Sequence, residues 1–424
     1  MKPLPETADL IVIGAGAAGL AAAARARSLG LGTLLLEAGP RIGGRCHTDQ
    51  DSLGLPWDRG AHWMHQALSN PFVQHARARG RAWSDSPRKV RHWLADEGHW
   101  ATQAEQQEID AYVDSCYAAV EIAATAGREA SLAEVMPPHP RWRAYAEGWL
   151  QAMNGGEVEE VSIQDYVRFE EDGANWPLQD GYGSLLAELH RDTAVELDTP
   201  AERVAWSAQG VTVTTPRGRV TAERAILALP TPVLLREDLF EPALPPEKRA
   251  AAAALPLGRH EKLALRFDEA ALPEESHWYI HRVGRERAAL NGIIRPFGRP
   301  MILLHLGGSL LRHWQKPTPA DTLEPVLDLL EAMLERPLRP HLTGWSATNW
   351  GDDPRFGGSY SSARPGHADA RQRLTDPLAN KLFFAGEACN IPAFGTVHGA
   401  HASGIAAAEA VAQAAGLRIS PLPA

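Results

Sequence analysis

The stretch Leu10-Ile11-Val12-Ile13-Gly14-Ala15-Gly16-Ala17-Ala18-Gly19 decides the fold of this chain. Its apolar run ends in the pattern G-x-G-x-x-G, and an alanine-rich helical pattern follows. A second apolar run, Thr33 to Leu36, then ends in Glu37, which is placed to accept hydrogen bonds from a ribose. This order predicts a strand, a tight turn, a helix and a parallel strand, the arrangement that binds dinucleotides.

Each small residue of the turn has a separate expected role. Gly14 permits the turn, Gly16 lets the backbone approach a pyrophosphate, and Gly19 lets the helix pack close to the strand. Ala17 and Ala18 begin a helix whose free N–H groups and positive dipole end would face the phosphates. The motif by itself leaves NAD and FAD open as ligands.

The bulk properties restrict the class of protein. A chain of 424 residues favours two domains, and the composition is that of a soluble globular protein. The net charge of −10 disfavours a nucleic-acid partner; it favours a cationic ligand or simply maintains solubility. Three cysteines without metal-ligand spacing, no apolar signal core and no run long enough to span a bilayer favour the cytoplasm and give no sign of a metal or membrane partner.

A second glycine pair follows Glu37 in the run from Ala38 to Arg45. Gly44 would allow another close approach to the pyrophosphate, and Arg45 would neutralise phosphate charge, unless this is an exposed basic loop. The E-x-x-x-x-x-G-G-R arrangement resembles the flavoprotein amine oxidase superfamily, which also contains phytoene-desaturase-like and protoporphyrinogen-oxidase-like enzymes. The resemblance implies FAD rather than NAD.

The loop Gly60-Ala61-His62-Trp63-Met64-His65 extends this resemblance. Gly60 and Ala61 are small enough for the backbone to lie against an isoalloxazine ring. Taken alone, the two histidines favour packing or surface positions. The run nevertheless resembles the G-A-x-W-I-H-G segment of polyamine oxidases, which implies that His62 and Trp63 contact the cofactor and that His65 stands at the substrate side of the flavin.

Lys262 begins an alternating pattern that predicts a strand with one apolar face. Taken alone, it would be an exposed lysine at a strand end. Its segment resembles the G-x-x-x-K-x-x-L-x-F of amine oxidases and histone demethylases, whose lysine holds a water at the flavin N5. A partly desolvated lysine beside a ring that becomes anionic would have a functionally relevant pKa.

The segment around Ser359 and Tyr360 resembles the W-x-x-D-P…G-S-Y-S of polyamine oxidases. Ser359 stands where monoamine oxidases carry the cysteine that binds flavin covalently, which implies non-covalent FAD. Tyr360 stands where the family places one wall of an aromatic cage. Thr396 occupies the position of the second cage tyrosine, so the resemblance implies a more open or elongated site.

The C-terminal segment resembles polyamine oxidases and histone demethylases through the string T-V-H-G-A-x-x-S-G. A predicted strand ends in Gly386 and Glu387, and the resemblance implies that Glu387 contacts the ribityl or pyrophosphate region. The backbone N–H groups near Thr396 and Val397 would face the N1/O2 edge of the flavin. In the family's β-meander, the backbone at the position of Val204 meets the adenine.

Hydrophobic periodicity predicts the intervening elements. The expected helices begin at Asn70-Pro71 and span Glu105 to Ala126 and Thr318 to Glu335. The expected strands are Arg203 to Trp206, Val211 to Thr215, Arg219 to Thr221, a separate buried strand Ala225 to Pro230, and Met301 to Leu306. Acidic residues gather between Glu157 and Asp172, either along a channel for ammonium groups or on a solvated face.

These observations predict an α/β (α+β) fold with a Rossmann-type FAD-binding domain and a discontinuous substrate-binding domain of mixed sheet plus helices. The expected FAD domain comprises residues 1–70, 186–256 and 364–424, and the substrate domain residues 71–185 and 257–363. The implied reaction transfers hydride from the α-carbon of an amine, polyamine-like or another primary or secondary amine, to flavin N5. The imine is then hydrolysed to an aldehyde, and O2 as the expected electron acceptor yields H2O2.

Three other functions stay open at this point. A desaturase or porphyrinogen oxidase would act on a large apolar substrate and would need an apolar surface facing a membrane. An L-amino-acid oxidase would need an arginine fork for the carboxylate, for which Arg168 and Arg295 are candidates. A flavin-binding scaffold without activity would be favoured only if Lys262 and Tyr360 failed to face the ring.

Overall fold

The computed structural model describes residues 3–86, 89–275, 277–285, 288–308 and 319–421. Thr318, the expected start of a helix, lies outside the described residues. The strands of the described part are β1 Thr7–Ile13, β2 Thr33–Leu36, β3 Thr48–Asp49, β4 Trp57–Asp58, β5 Trp63–Met64, β6 Val90–Leu94, β7 His99–Trp100, β8 Trp176–Pro177, β9 Arg203–Ser207, β10 Gly210–Thr215, β11 Gly218–Leu227, β12 Phe240–Glu241, β13 His260–Phe267, β14 Trp278–Val283, β15 Ala288–Ile294, β16 Met301–Gly308, β17 Leu342–Ala347 and β18 Leu382–Phe384.

The α-helices of the described part vary from one turn to six. They are Ala17–Ser28, Pro71–Ala78, Gln103–Thr125, Leu132–Val135, Arg143–Asn154, Ile163–Tyr166, Tyr182–Leu189, Thr231–Leu234, Pro246–Ala253, Leu323–Leu334, Ala370–Thr375 and Val397–Ala414. Within the described ranges, none of these helices combines the length and apolarity needed to cross a membrane.

The first sheet contains the predicted strand–turn–helix–strand unit. Its order is β12-β9-β10-β11-β1-β2, with β18 beside β11, and β1 runs parallel to both β2 and β11. The helix Ala17–Ser28 packs between this sheet and the helix Val397–Ala414. A Cβ at Gly404 would lie 2.0 Å from the oxygen of Ala18, so the two helices approach to backbone contact.

One strand replaces two that the sequence predicts separately. The expected strands Arg219 to Thr221 and Ala225 to Pro230 form the single strand Gly218–Leu227. Its first half pairs antiparallel with β10, while Thr221 already pairs with Thr7 of β1. Because the ladder with β1 continues along residues 221–227, the polar residues between the two apolar runs do not interrupt the strand.

The predicted helices are present with shifted ends. The helix expected from Glu105 begins at Gln103, because Thr102 and Glu105 form a capping box that satisfies the first N–H groups. The helix Leu323–Leu334 is preceded by a 3₁₀ turn, Pro319–Thr322, and is therefore shorter than expected.

The second sheet has the order β17-β13-β16-β15-β14-β6-β7. One of its faces packs against the apolar side of the helix Leu323–Leu334. The helices Gln103–Thr125 and Arg143–Asn154 stand over the other face, and a cavity separates them from the sheet. Strand β13 has one apolar face, formed by Leu263, Leu265 and Phe267, and its more polar face is largely buried as well. The loop residues Leu53 and Trp57 cover the face that the sequence left open.

A buried guanidinium joins three distant parts of the chain. Arg371 donates from Nε and Nη2 to the two carboxylate oxygens of Asp165, each at 2.8 Å, and from Nη1 to Ser361 Oγ at 2.9 Å. The same Asp165 accepts the backbone N–H of Ala363 at 3.0 Å. The side chains of Arg371 and Asp165 are 0% and 1% exposed, so this pair is fully desolvated.

Replacing Arg371 with methionine would leave the carboxylate of Asp165 buried without its cation. We expect the free energy of unfolding to fall by about 3–5 kcal/mol, measured by urea denaturation, since breaking a buried pair leaves an uncompensated charge. Arg373→Met is the matched control, because Arg373 pairs with Asp369 and its side chain is 40% exposed. The control should lose less than about 1 kcal/mol, and equal losses in the two variants would contradict the role assigned to Arg371.

Candidate functional site

A cavity of about 1090 Å³ runs from the glycine turn of the first sheet to the open face of the second. Its first part is lined by Gly14, Gly16 and Glu37, and its far part by aromatic and histidine side chains. Pockets for one small ligand usually measure about 300–1,000 Å³. This cavity therefore has room for a cofactor and a substrate together.

The glycine turn opens into the first part of this cavity. Gly14 has a φ of 100°, and a Cβ there would lie 2.5 Å from Ala228 O. A Cβ at Gly19 would lie 1.7 Å from Gly14 O, so the helix packs on the turn as the motif predicts. A Cβ at Gly16 would meet nothing within 4 Å, and no side chain caps the helix that follows. The open backbone at Gly16 and the uncapped helix end suit an anion.

Glu37 fixes the conformation of this turn. Its Oε2 accepts the backbone N–H of Ala15 at 2.7 Å, and its Oε1 accepts that of Gly39 at 2.8 Å. The carboxylate also lines the cavity beside Ala38. Each carboxylate oxygen can accept a second hydrogen bond, so a ribose can bind without displacing the backbone contacts.

Arg45 and Glu387 meet at the middle of the cavity. Arg45 Nη1 donates to Glu387 Oε1 at 3.2 Å and to the backbone oxygen of Ser359. Glu387 Oε2 accepts from Ser361 Oγ at 2.7 Å and from the N–H of Gly395 at 3.1 Å. The arginine thus supplies a positive charge to the cavity, while protein donors hold the carboxylate in place.

Most of the predicted site residues line this one cavity. They include residues of its cofactor part and residues of its far part. They are Gly14, Gly16, Ala17, Ala18, Glu37, Ala38, Gly44, Arg45, Gly60, Ala61, His62, Trp63, His65, Lys262, Tyr360, Gly386, Glu387, Thr396 and Val397. Gly19 is absent from the lining because it packs against Gly14, and Val204 lies wholly buried in the first sheet.

Val204 is absent from the cavity lining, although the resemblance implies that its backbone meets the adenine. Strand β12 pairs with β9, and the N–H of Val204 donates to Leu239 O at 2.7 Å. The cavity wall in this region is formed by Thr199, Pro200 and Leu239 instead. The sequence did not identify these residues, because their position depends on the long-range pairing of β12 with β9.

Lys262 is buried at the point where the two parts of the cavity meet. Its Nζ donates to the backbone oxygens of Asp58 at 2.9 Å and Gly60 at 2.5 Å. The side chain belongs to a residue that is 5% exposed, so it is not the exposed strand-end lysine that the local sequence suggests. Burial lowers the pKa of Lys262 to about 8, against an opposing contribution from Asp58.

The loop whose backbone oxygens bind Lys262 is itself held in place by a buried carboxylate, that of Asp58. Asp58 Oδ2 lies 3.1 Å from His62 Nδ1, and Oδ1 accepts from Thr48 Oγ1 at 2.6 Å. A Cβ at Gly60 would lie 1.6 Å from Arg45 O, so the glycine is required by a backbone contact. The sequence pattern did not single out Asp58, although its position at the start of a conspicuous histidine loop was a usable signal.

Trp63 and His65 form one side wall of the far part, which we call the chamber. The ring of Trp63 stacks on His305 with centroids 5.0 Å apart. His65 Nδ1 contacts Asn175 Oδ1. Since an amide oxygen only accepts, His65 donates from Nδ1 and its Nε2 is the acceptor nitrogen.

Tyr360 and His260 continue the lining of the chamber from His305, which His260 contacts. The hydroxyl of Tyr360 donates to Ala152 O at 2.7 Å and lies 3.4 Å from His260 Nδ1. Burial raises the pKa of Tyr360 and lowers that of His260 to about 4, with a further lowering from the charge of Lys262. Thr396 lines the cavity with a small side chain and caps the helix Val397–Ala414 by accepting the N–H of Gly399 at 3.0 Å.

The arginines that line the cavity within the described residues each pair with a carboxylate of the protein; they are Arg45, Arg59, Arg236 and Arg355. Arg168 donates to Ala368 O, and Arg295 pairs with Glu269; neither lines the cavity. The chamber therefore lacks the arginine fork that a substrate carboxylate would need.

These features fit FAD. The open backbone at Gly16 and the uncapped helix after it suit the pyrophosphate, and a Cβ at Gly386 would likewise meet nothing within 4 Å. Glu37 can bind the ribose and Arg45 the phosphate charge. Lys262 and Tyr360 line the part of the cavity that such a cofactor would reach with its flavin end.

Comparison with known proteins agrees with this geometry. The sequence profile described as flavin containing amine oxidoreductase matches residues 140–412, and that of an NAD(P)-binding Rossmann-like domain matches residues 12–77. Polyamine oxidase 4 of Oryza sativa subsp. japonica is 28% identical over 433 residues, which cover 95% of this chain and 88% of that protein. Probable polyamine oxidase 4 of Arabidopsis thaliana is 27% identical over 434 residues, covering 95% and 86%.

A solved structure shares the fold. The cyclohexylamine oxidase from Brevibacterium oxydans IH-35A superposes with a TM-score of 0.79 at 23% identity, covering 97% of this chain and 100% of that chain. At this level of identity the likeness concerns the fold alone.

The titration of Lys262 gives a test of its position. With a pKa of about 8, Lys262 is a cation below pH 8 and neutral above it. A nearby cation stabilises negative charge on the reduced flavin and on reduced oxygen, so the rate at which oxygen reoxidises the reduced enzyme should fall as pH rises through about 8. In Lys262→Met, reoxidation by oxygen should be slow at every pH, and its rate should not fall near pH 8. Both are measured by stopped-flow absorbance.

Lys262→Arg is the matched control, because a guanidinium stays charged throughout this pH range. It should show no step near pH 8. A wild-type profile that is unchanged by Lys262→Met would remove the lysine from the flavin environment.

Proposed function

The chain belongs to the flavin containing amine oxidoreductase family. We propose that its substrate is a small primary or secondary amine with a chain like that of a polyamine, and that O2 is the electron acceptor. The protein is an FAD-dependent amine oxidase. When bound, FAD supplies the oxidising chemistry by accepting the hydride from the α-carbon of the amine. We propose that the resulting imine is hydrolysed to an aldehyde and that the acceptor leaves as H2O2.

The observation that carries this proposal is the continuity of the cavity. The same space that begins at Gly16 passes Lys262 and widens into a chamber with aromatic walls. Trp149 and Tyr117 line that chamber and are joined by a hydrogen bond of 2.8 Å from the indole to the hydroxyl. Aromatic walls bind the alkyl chain of an amine and also attract its cationic form.

Charge is distributed unequally along the chamber. Glu121 and Glu171 line the cavity and are exposed, so they lie where it opens to solvent. Inside, burial lowers the pKa of His260 to about 4 and that of His281 well below its ordinary value. Carboxylates at the opening attract an ammonium group, whereas the neutral interior favours the unprotonated amine, the form that can release a hydride.

We assign three side chains to the reaction. Lys262 would hold a water at the flavin N5 position and assist reoxidation. His65, whose Nδ1 is held by Asn175, would accept a hydrogen bond from the amine at Nε2 and orient it. Tyr360, whose hydroxyl is held by Ala152 O, would shape the chamber.

The competing activities lack support in the chamber. Amino-acid oxidation would need an arginine beside the reacting carbon, and Arg168 and Arg295 are both engaged elsewhere. A non-enzymatic scaffold would not need a buried lysine and a tyrosine lining the flavin end of the cavity. We therefore retain amine oxidation as the single function.

We further propose the cellular setting and the domain division. The three cysteines are free thiols, which suits the cytoplasm. The FAD-binding domain would comprise residues 1–70, 186–256 and 364–424, and the substrate domain the rest. The helix Pro71–Ala78 packs in the core of the first sheet, so the first boundary is the one to test by limited proteolysis.

FAD should be released intact by acid. Ser359 has no thiol to form a covalent link, and its hydroxyl donates to Gly258 O at 2.8 Å. The purified protein should be yellow, and trichloroacetic acid should leave a colourless pellet with FAD in the supernatant. Flavin retained in the pellet would contradict non-covalent binding.

A substrate panel tests the proposed reaction. We expect peroxide formation with oligoamines and N-alkylated amines, measured by a coupled peroxidase assay, and no turnover of amino acids, whose carboxylate lacks a partner in the chamber. Silence on every amine, with turnover of an amino acid, would contradict the proposal. Glu171→Gln should raise KM for cationic amines several-fold with little change in kcat, because it acts at the opening.

A further inference from the structure

A row of polar residues crosses the floor of the chamber. The register of the second sheet places Lys262 opposite His305, His305 opposite Asn291, and Asn291 opposite His281. Strand β6 extends the row, since His92 lies opposite His281. Directly opposed residues on neighbouring strands point to the same face of a sheet. The first four side chains line the cavity, and the row therefore forms part of the chamber.

The row is an exception in an otherwise apolar interior. On the strands around it, Leu303 and Ile293 share its face, and Leu304 points to the opposite core. Polar groups buried in such surroundings cost free energy unless they are hydrogen-bonded. Within the described part of the chain, Asn291 Oδ1 is buried without a hydrogen-bond partner. An unsatisfied acceptor thus faces the chamber in the middle of the row.

A chain of hydrogen bonds makes His305 an acceptor as well. Tyr360 uses its proton on Ala152 O, so His260 Nδ1 must donate to the tyrosine oxygen. His260 Nε2 then accepts from His305 Nδ1 at 3.3 Å. The neutral tautomer that remains for His305 has its lone pair on Nε2.

The two histidines at the far end of the row, His281 and His92, are neutral at neutral pH. Burial lowers the pKa of His281 well below its ordinary value, and that of His92 to about 4. His281 shares a hydrogen bond of 3.0 Å with the hydroxyl of Tyr145, whose pKa is raised by burial. The carboxylates of the cavity's described lining are Glu37 and Glu387 at the cofactor part and the two at the opening. No described carboxylate of the cavity accompanies the row, so it suits a neutral group rather than a second ammonium.

The spacing of the row matches a substrate chain. Neighbouring strands lie about 4.8 Å apart, so His305, Asn291 and His281 follow Lys262 at about 5, 10 and 14 Å. Two nitrogen atoms separated by three extended carbons lie about 5 Å apart, given bonds of about 1.5 Å. An extended amine that reacts beside Lys262 would therefore present its next polar group to His305 or Asn291.

We propose that His305 and Asn291 determine substrate specificity by binding a neutral hydrogen-bond donor, an amide N–H or a hydroxyl, on the chain of the amine. This inference rests on the proposed amine oxidation. It adds a requirement that the reaction alone does not impose: a donor group beyond the carbon that is oxidised.

Four amines of similar length test the proposal in the holoenzyme. Heptylamine has no polar group in its chain, 3-propoxypropylamine has only an acceptor, N-(3-aminopropyl)propanamide has an amide donor, and 6-aminohexan-1-ol has a hydroxyl donor. We expect kcat/KM for the amide or the alcohol to exceed that of heptylamine at least tenfold, and the ether to behave like heptylamine. Comparison of the amide with the alcohol identifies which donor the row recognises.

Asn291→Leu removes the unsatisfied acceptor at similar volume. It should reduce the preference for the donor-bearing amine over heptylamine to within about twofold. The matched control is Ile293→Leu, on the same strand and face, which should change all four amines by a common factor. His305→Phe gives a second variant that keeps a ring in place, and FAD content checks that each variant is folded.

A binding measurement separates this inference from the reaction. Calorimetric titration of the holoenzyme with its flavin reduced beforehand measures affinity without turnover. The donor-bearing amine should bind at least tenfold more tightly than heptylamine, and Asn291→Leu should remove the difference. A preference that Asn291→Leu leaves unchanged, or an ether that binds as well as the donors, would overturn the assignment. If no amine is oxidised, the proposed function fails, while the titration still decides whether the row binds donors.

Discussion

The buried guanidinium of Arg371 is the interaction on which the geometry between the two sheets depends. It binds both oxygens of Asp165, and its contact with Ser361 Oγ continues to Glu387 Oε2. Glu387 in turn meets Arg45, whose guanidinium lies at the middle of the cavity. Charges so far from water must each be matched, because an unmatched one would cost several kcal/mol. Because each buried charge needs its partner, these contacts hold the helix of Asp165, the loop of Ser361 and the cofactor part of the cavity at fixed distances from one another.

The cofactor part was the most predictable region, because its determinants are local. Gly14 must adopt a positive φ, and Gly19 must leave room for Gly14 O. Both requirements concern residues within one stretch of six, so the local sequence is enough to predict them. Glu37 follows at the end of the next strand. Local sequence was not enough for Val204, whose N–H donates to Leu239 O. It was not enough either for the strand Gly218–Leu227, which the sequence pattern divides into two strands. Both outcomes depend on which strand lies next to which.

The chamber was predictable only where a motif marked it. Lys262 was recognised through a family pattern, while the bare alternation around it suggested an exposed residue. His305, Asn291 and His281 lie on three different strands, and nothing in their local sequence indicates that they share one line. Side-chain alternation assigns a residue to a face, but the alignment between strands comes from register, which loops and core packing set over long distances. His260 was not predicted either, although its position two residues before Lys262 places both residues on the same face.

Burial makes the residues of the chamber hard to predict from the sequence. It also determines which of their side chains are charged. Lys262 is held by two backbone oxygens, and the carboxylate of Asp58, which favours its charged form, does not line the cavity. A carboxylate there would trap the substrate as an ammonium ion, which has no lone pair to support loss of hydride from its neighbouring carbon. Placing Glu121 and Glu171 at the opening instead separates attraction of the cation from its reaction. Neutral imidazoles and amides can then recognise the rest of the molecule by hydrogen bonds whose strength increases as water is excluded.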